Sequence, residues 1–456
     1  MTTAAIGDIL DMELVDLAYG GDAVGRHLGR ATFVPGGIPG ERVRVRLTGA
    51  FKNYARGELV EVVQPSPDRI APPFPDLAES GGFQWQHIAY PAQLHWKTQI
   101  VRQLLKRTGH FANAPVHPAI GMPDGSDLWR YRTVAQFAVG PDGAIGFRRS
   151  NSHDVLDMPT CPLVHPALDA LYTTVRAWML AHWGEAAATY TERFTLRIAA
   201  TPPDEINGEP NSGGHGLLSI EARAGSALAA VDDLQALAET IRAETPGLAG
   251  VAILGIPGGH GRVVAGQDYV YECVLGKTYR VSAGSFFQVN AAQTPVLVNQ
   301  ARSAAQASAT DHLLDGYSGV GLFSLILADD AAMIHAVESQ PSAVADARAS
   351  AMLNGITNVT ATEGVLERVL GAFQPQSTPV DIVLVDPPRA GCHPRALREI
   401  QRLAPRTFVY VSCDPSTLAR DLRMMCDHGY QLESVQPVDM FPHTTHIECV
   451  ARCERV

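Results

Sequence analysis

The stretch His312-Leu313-Leu314-Asp315-Gly316-Tyr317-Ser318-Gly319-Val320-Gly321 joins an apolar strand to a glycine-rich turn, and a helical segment starts at Leu322. Glycines in such a turn let the backbone approach a bound nucleotide, and the start of the helix favours polar or anionic groups. Glu338 ends the next apolar segment, seventeen residues after Gly321, and is well placed to accept both hydroxyls of a ribose. The two features predict a nucleotide cofactor without deciding which one, because NAD enzymes share them.

The chain around this stretch alternates between strand and helix patterns from about residue 286 to the end. Predicted strands are His312–Leu314, Met333–Val337, Ile382–Val385 and Phe408–Val411, and predicted helices include 341–353 and 394–403. Alternation of this kind favours an α/β fold, with a parallel sheet between helices. Ligands bind such sheets beyond the carboxyl ends of the strands. We therefore predict a Rossmann-like domain over residues 286–456, with its site at the strand ends.

Two of these strand ends carry reactive side chains. The third strand runs into Asp386-Pro387-Pro388-Arg389, whose prolines cannot continue a parallel strand and so fix a turn. Asp386 could meet a cofactor or a base there, and Arg389 could donate to a carbonyl; a plain proline turn is the alternative. Cys413 ends the fourth strand before a helix with Ser416 as its predicted N-cap, which favours a thiolate nucleophile over a buried apolar cysteine.

The last predicted strand, Thr445–Val450, contains Glu448, whose burial could raise its pKa to that of a useful base. His446 would lie on the same strand face and is the next candidate base. Four residues of types that bind metals are also nearby: His443, His446, Cys449 and Cys453. Because His446 and Cys449 would point to opposite faces of the strand, we predict no metal site.

The rest of the chain divides into two parts. Residues 8–65 follow the two-residue period of strands, clearest in Arg42–Leu47, and predict a small closed β-barrel over residues 1–66. The patterns in residues 67–285 indicate a mixed α+β central domain with a helix over 93–108, and we predict no topology for it. The net charge is −11, yet seven basic residues oppose one acid, Glu41, between residues 26 and 56: Arg26, Arg30, Arg42, Arg44, Arg46, Lys52 and Arg56. This segment is either an RNA contact or a solvated face.

Several segments together resemble the RNA uridine-5-methyltransferase family in the order of its signatures. They are Ser285–Asn290 (SFFQVN), Asp386–Gly391 (DPPRAG), Ser412–Pro415 (SCDP) and Asp439–Glu448 (DMFPHTTHIE), while Pro35–Glu41 and Pro65–Arg69 resemble an RNA-binding TRAM barrel. The resemblance implies a class I methyltransferase domain and S-adenosylmethionine held by Gln288, Tyr317, Gly319, Glu338 and Asp386. It implies Cys413 as nucleophile, Glu448 as base, and Arg389 and Arg132 as substrate contacts. It also implies that the helix near 93–109 packs with the catalytic domain.

The chemistry explains why a nucleophile and a base are both needed. Carbon 5 of uracil is a poor nucleophile, and thiolate addition at carbon 6 turns the ring into an enolate that can accept a methyl group at carbon 5. A base must then remove the carbon 5 proton so that the cysteine can leave. The uridine must also leave its stack. An amino-group methyltransferase needs no such cysteine, and a non-catalytic RNA-binding protein is the remaining alternative.

One departure concerns the four-iron–four-sulfur cluster that many members hold. Phe74, Ser80 and Phe83 occupy three of its four ligand positions and only Cys161 remains, so we expect no cluster. The TRAM resemblance favours 23S ribosomal RNA as substrate, with tRNA possible. Seven irregularly spaced cysteines lead us to expect a cytoplasmic protein, and no apolar run is long enough to span a membrane. We also expect a monomer.

Overall fold

The computed structural model describes residues 5–149, 152–206, 208–210, 214–222, 228, 233–255, 262–373 and 380–456. In chain order it contains a barrel, a mixed central region and a region built on a largely parallel sheet. Within the described residues, every helix is too short or too polar to cross a lipid bilayer.

The N-terminal strands form the predicted closed barrel, in the order β1-β2-β3-β5-β4. They are β1 (Ile9–Leu17), β2 (Ala23–His27), β3 (Arg30–Val34), β4 (Arg42–Ala50) and β5 (Tyr54–Gln64). In β4 the burial alternates as the sequence predicts: Val43 and Val45 are buried and the arginines between them are exposed. Closure leaves so small a sheet without open edges.

The central region contains a seven-stranded sheet in the order β14-β13-β12-β9-β6-β7-β8. Its strands are β6 (Val134–Val139), β7 (Ile145–Arg148), β8 (Val155–Asp157), β9 (Arg193–Ile198), β12 (Gly216–Glu221), β13 (Leu248–Leu254) and β14 (Arg262–Gly266). Two hairpins accompany it, β10 (Glu205–Ile206) with β11 (Glu209–Pro210) and β15 (Tyr269–Val274) with β16 (Lys277–Ser282). Its helices are α2 (Pro166–His182), α3 (Ala187–Tyr190) and α4 (Leu234–Glu244).

Helix α1 (Tyr90–Arg107) is the helix predicted over 93–108. Its buried face, which includes Ile100, Val101 and Leu105, shares one apolar core with Leu418 and Leu422 of the C-terminal region. A helix that precedes the central sheet in sequence therefore packs on the last part of the chain. The limits of the three predicted domains, at residues 66 and 285, stay predictions.

The C-terminal region has the predicted α/β architecture, with a seven-stranded sheet in the order β19-β18-β17-β20-β21-β23-β22. The strands are β17 (His312–Gly316), β18 (Met333–Glu338), β19 (Val359–Glu363), β20 (Ile382–Val385), β21 (Thr407–Ser412), β22 (Tyr430–Val438) and β23 (Glu448–Arg455). The helices are α5 (Thr294–Ala305), α6 (Leu322–Leu327), α7 (Pro341–Leu353), α8 (Leu366–Ala372), α9 (Pro394–Leu403) and α10 (Pro415–Cys426).

Six of the seven strands run in the same direction, and only β23 is antiparallel, between β21 and β22. The first residue of β23, rather than its last, therefore reaches the edge where the parallel strands end. That residue is Glu448. The predicted strand over 445–450 is thus wrong at its start, because Thr445, His446 and Ile447 belong to the preceding turn.

Candidate active site

The turn after β17 supplies the first wall of the site. Tyr317 and Gly319 both adopt positive φ, 62° and 54°, which lets the chain bend back sharply above the sheet. The space beside the Gly319 α-carbon is open, so a side chain there would project into the cavity described below. The Gly319 N–H donates to the Glu338 carboxylate over 3.0 Å, and this bond ties the ends of β17 and β18 together.

A single cavity of about 580 Å³ covers the carboxyl ends of these strands, a size typical of small-molecule sites. Eight of the nine residues predicted for the site line it: Gln288, Tyr317, Gly319, Glu338, Asp386, Arg389, Cys413 and Glu448. The cavity therefore connects the residues expected to hold a cofactor with those expected to act on a base.

Three acidic side chains lie together in this desolvated region. Glu448 is only 5% exposed, and burial raises its pKa to about 7 against the opposing effect of Arg389. Burial, with Glu448 and Asp315 nearby, also raises the pKa of Asp386 well above its usual range. Burial raises the pKa of Asp315 to about 7, and its Oδ1 has no hydrogen-bond partner among the described residues. A cation bound in the cavity would favour the charged forms of Asp386 and Glu448, which both line it.

Cys413 follows β21, as predicted, but the predicted thiolate is wrong for the unliganded protein. Burial, together with the carboxylates of Glu448 and Asp386, raises the pKa of its thiol to about 12. The N-cap of α10 is Asp414 rather than Ser416: its Oδ1 accepts the N–H groups of Ser416 and Thr417. The helix end is thus already occupied by a negative charge, and little of its positive field reaches the thiol.

Arg389 and His446 are joined by a hydrogen bond at the edge of the sheet where the parallel strands end. The Arg389 guanidinium donates to Nδ1 of His446 over 3.2 Å. Burial, followed by Arg389 and Arg132, lowers the pKa of His446 to about 4, so the imidazole is a neutral acceptor at pH 7. Because His446 lies in the turn before β23, the prediction that it shares a strand face with Glu448 is wrong.

Arg132 does not line this cavity. Its guanidinium lies 5.6 Å from the ring centre of Phe441, and Phe441 in turn contacts His446. Arg132 instead lines a separate cavity of about 370 Å³ that also contains Arg148 and Arg193. Its predicted contact with the substrate stays a prediction.

Two of the positions where relatives have cluster-binding cysteines, Phe74 and Phe83, belong to an aromatic cluster in this structure. Phe83 is fully buried, and Phe74 and Phe83 contact each other and Trp129. Cys161 is buried, and burial raises the pKa of its thiol to about 11. In the part of the chain that the structure describes, no group of three or more histidine, cysteine or acidic side chains is arranged to hold a metal ion.

Sequence reasoning missed a buried ion pair behind the site. Lys97 of α1 donates to Asp439 over 2.6 Å, and both side chains are fully buried. Lys97 also donates to the Phe441 carbonyl, so α1 holds the turn that leads to Glu448. The signal was available: Gln93, Lys97 and Val101 are spaced at i, i+4 and i+8 on the apolar face of the predicted helix.

Comparisons with known proteins agree with this architecture. The tRNA (uracil-5-)-methyltransferase family model matches residues 231–456, and the TRAM domain model matches residues 5–60. An uncharacterized RNA methyltransferase of Halalkalibacterium halodurans is 35% identical, over 98% of this chain and 97% of its own. One from Caldanaerobacter subterraneus is 33% identical over the full length of both.

Among solved structures, a tRNA (uracil-54, C5)-methyltransferase of Pyrococcus abyssi, in complex with S-adenosyl-L-homocysteine, has the same fold. Its TM-score is 0.70 at 23% identity, over 97% of this chain and 100% of that one. The likeness extends through the barrel, the central region and the α/β region. The solved structure shows the fold, and the full-length relatives with the two family models confirm the predicted family: the chain belongs to the RNA uracil-5-methyltransferases.

Proposed function

We propose that this enzyme transfers a methyl group from S-adenosylmethionine to carbon 5 of a uridine in 23S ribosomal RNA, through a covalent bond between Cys413 and carbon 6. The observation that carries the proposal is the single cavity that Gln288, Glu338, Asp386, Cys413 and Glu448 all line. A methyl donor and a uracil ring can therefore meet in one desolvated space.

The residues present fit S-adenosylmethionine. Glu338 is held by backbone N–H groups of Gly319 and Gln340 and faces the cavity, where it can accept ribose hydroxyls. The open space at Gly319 leaves room for a nucleoside close to the backbone. The sulfonium cation suits the carboxylate of Asp386, which lines the cavity and whose charged form is disfavoured by burial. Bound there, the cofactor supplies an electrophilic methyl group.

The protein's own groups account for the remaining steps. The Cys413 thiol releases its proton to the solvent as its sulfur donates an electron pair to carbon 6, and the carbon 5–carbon 6 π electrons move toward the carbonyl to give an enolate. Arg389, at the same edge, can donate to that oxygen. After carbon 5 has gained the methyl group, Glu448 removes its proton, the double bond re-forms and the carbon–sulfur bond breaks. Glu448 suits this step because its pKa of about 7 balances proton acceptance and release.

The positive charges of the barrel favour a large RNA as the substrate. Arg44 and Arg46 are paired with Glu61 and Glu58. The other five cations of the basic segment form no ion pair among the described residues. Arg26, Arg30 and Arg56 lie on the adjacent strands β2, β3 and β5, and Lys52 lies in the turn before β5. We call these four the free basic cluster; it can bind phosphates. The barrel alone does not decide the substrate, because the archaeal tRNA enzyme aligns across it as well.

The test uses labelled methyl groups and two purified substrates, a 23S rRNA transcript and a tRNA pool. Incorporation into 23S rRNA as 5-methyluridine is the expected result. Incorporation into tRNA alone would assign the enzyme to tRNA and contradict the rRNA proposal. Methylation on a nucleobase amino group would contradict the chemistry.

A further inference from the structure

A turn of the barrel reaches the active site. The β1–β2 turn, Ala18–Asp22, is closed by backbone hydrogen bonds between its ends. From it, the Tyr19 hydroxyl donates to Oδ2 of Asp414 over 2.6 Å, across 395 positions of sequence. Asp414 is the residue directly after Cys413. The barrel therefore contacts the catalytic segment itself.

The same turn is also fitted against the segment that leads to Glu448. The Gly21 carbonyl accepts the indole N–H of Trp85 over 3.3 Å. Gly21 has a φ of 96°, and a side chain there would collide with Thr445 and with the Trp85 ring. Thr445 lies three residues before Glu448. Both reactive segments thus pack against one turn of the barrel.

The two oxygens of the Asp414 carboxylate accept hydrogen bonds from different parts of the chain. Oδ1 accepts the N–H groups of Ser416 and Thr417 and so holds the first turn of α10. Oδ2 accepts only from Tyr19 among the described residues. Burial, followed by the hydrogen bond to Asp414, raises the pKa of the Tyr19 phenol above its usual range. The hydroxyl therefore remains a donor wherever the enzyme operates.

We propose that Tyr19 is a positioning residue that fixes Asp414, and through it the Cys413 segment, for attack on the uracil ring. The inference deepens the proposed function and rests on it for the role of Cys413. It makes the barrel part of the catalytic site as well as an RNA-binding surface. The Cys413 sulfur is then positioned for attack on carbon 6 only while the barrel is docked on the catalytic domain.

The test compares Tyr19→Phe with Tyr54→Phe in the full-length protein. Tyr54 lies in the same barrel, its ring stacks on Phe51, and its hydroxyl makes no hydrogen bond to another described residue. Both substitutions remove one phenol oxygen and keep the ring. Amide hydrogen exchange of the peptide spanning residues 412–417 is measured first, without RNA. The single-turnover methylation rate and the affinities for RNA and S-adenosylmethionine follow.

Tyr19→Phe should speed exchange in the 412–417 peptide and lower the single-turnover rate roughly tenfold, the cost of one charge-assisted hydrogen bond. Both affinities should stay unchanged, and Tyr54→Phe should match the wild type. Unchanged exchange would overturn the proposal whatever the activity. Faster exchange with an unchanged rate would show that the Cys413 segment needs no such support, and would overturn it too. If the wild type forms no 5-methyluridine, the proposed function fails, while the exchange result still decides whether Tyr19 holds Asp414.

Discussion

Ser412 and Cys449 are paired across the antiparallel strands β21 and β23. Cys413 comes directly after Ser412, the last residue of β21, and Glu448 comes directly before Cys449 as the first residue of β23, so this register brings the two groups to one edge of the sheet. Burial raises the pKa of all three groups, and the Glu448 carboxylate further raises the pKa of Asp386 and of the Cys413 thiol. The unliganded site is thus poised to accept a cation.

That electrostatic arrangement predicts that the cofactor activates the thiol. In the proposed site, S-adenosylmethionine brings a positive sulfonium close to Asp386, whereas S-adenosyl-L-homocysteine has a similar shape and a neutral sulfur. Alkylation of Cys413 by iodoacetamide, followed by mass spectrometry at pH 8, should be about fivefold faster with the cation bound. Cys273, which lies outside the cavity, should react equally in both cases. Equal rates at Cys413 would show that the thiol does not sense the cofactor charge.

The buried ion pair behind the site predicts a large stability effect. Lys97→Met leaves the Asp439 carboxylate buried without its partner, which costs about 3 to 5 kcal/mol in the free energy of unfolding. Lys106→Met, on the exposed last turn of the same helix, is the matched control and should cost little. Adding Asp439→Asn to Lys97→Met should restore part of the stability. Denaturant unfolding measures all three, and equal midpoints for the two lysine variants would rule out the role given to the pair.

How far the sequence predicts the molecule depends on the range of the interactions. The strand ends at Gly316, Glu338, Val385 and Ser412 could be placed to within two residues because each is marked by local glycines, prolines or a reactive residue. The position of Glu448 at the start of β23 could not, since it follows from an antiparallel strand inserted between β21 and β22. The thiolate prediction for Cys413 failed for the same reason: the carboxylates that raise its pKa arrive from β20 and β23. No local sequence pattern predicts the contact of Tyr19 with Asp414.

The free basic cluster predicts a change in the salt dependence of RNA binding. Lys52→Gln with Arg56→Gln removes two unpaired cations, and every phosphate that is no longer neutralised should reduce the slope of log affinity against log salt by about 0.7 to 0.9. Arg44→Gln with Arg46→Gln removes two cations already paired within the barrel, so its slope should change less. Filter binding to 23S rRNA at several salt concentrations gives both slopes. A wild-type slope for the first variant would mean that the RNA docks elsewhere.

The pKa of Glu448 predicts how pH controls the last chemical step. Only the carboxylate can take the carbon 5 proton, and burial raises its pKa to about 7. Below pH 7 the group is protonated and elimination should be slow; above pH 7 it is charged and elimination should be fast. After a pH jump, the decay of the methylated RNA–protein adduct should therefore accelerate as pH rises through about 7. A decay rate that is flat between pH 6 and 8 would assign the proton transfer to another group.

The most direct test of the account is the species formed by Glu448→Gln. Glutamine keeps the size and a hydrogen-bonding end but cannot accept the proton, so thiolate attack and methyl transfer should proceed while elimination stalls. On a denaturing gel the variant should give a methylated RNA joined to Cys413, formed only with S-adenosylmethionine, stable to heat in detergent and removed by ribonuclease. Adding Cys413→Ala should erase the band. Normal turnover by Glu448→Gln without an adduct, or an adduct that survives Cys413→Ala, would contradict the assigned roles.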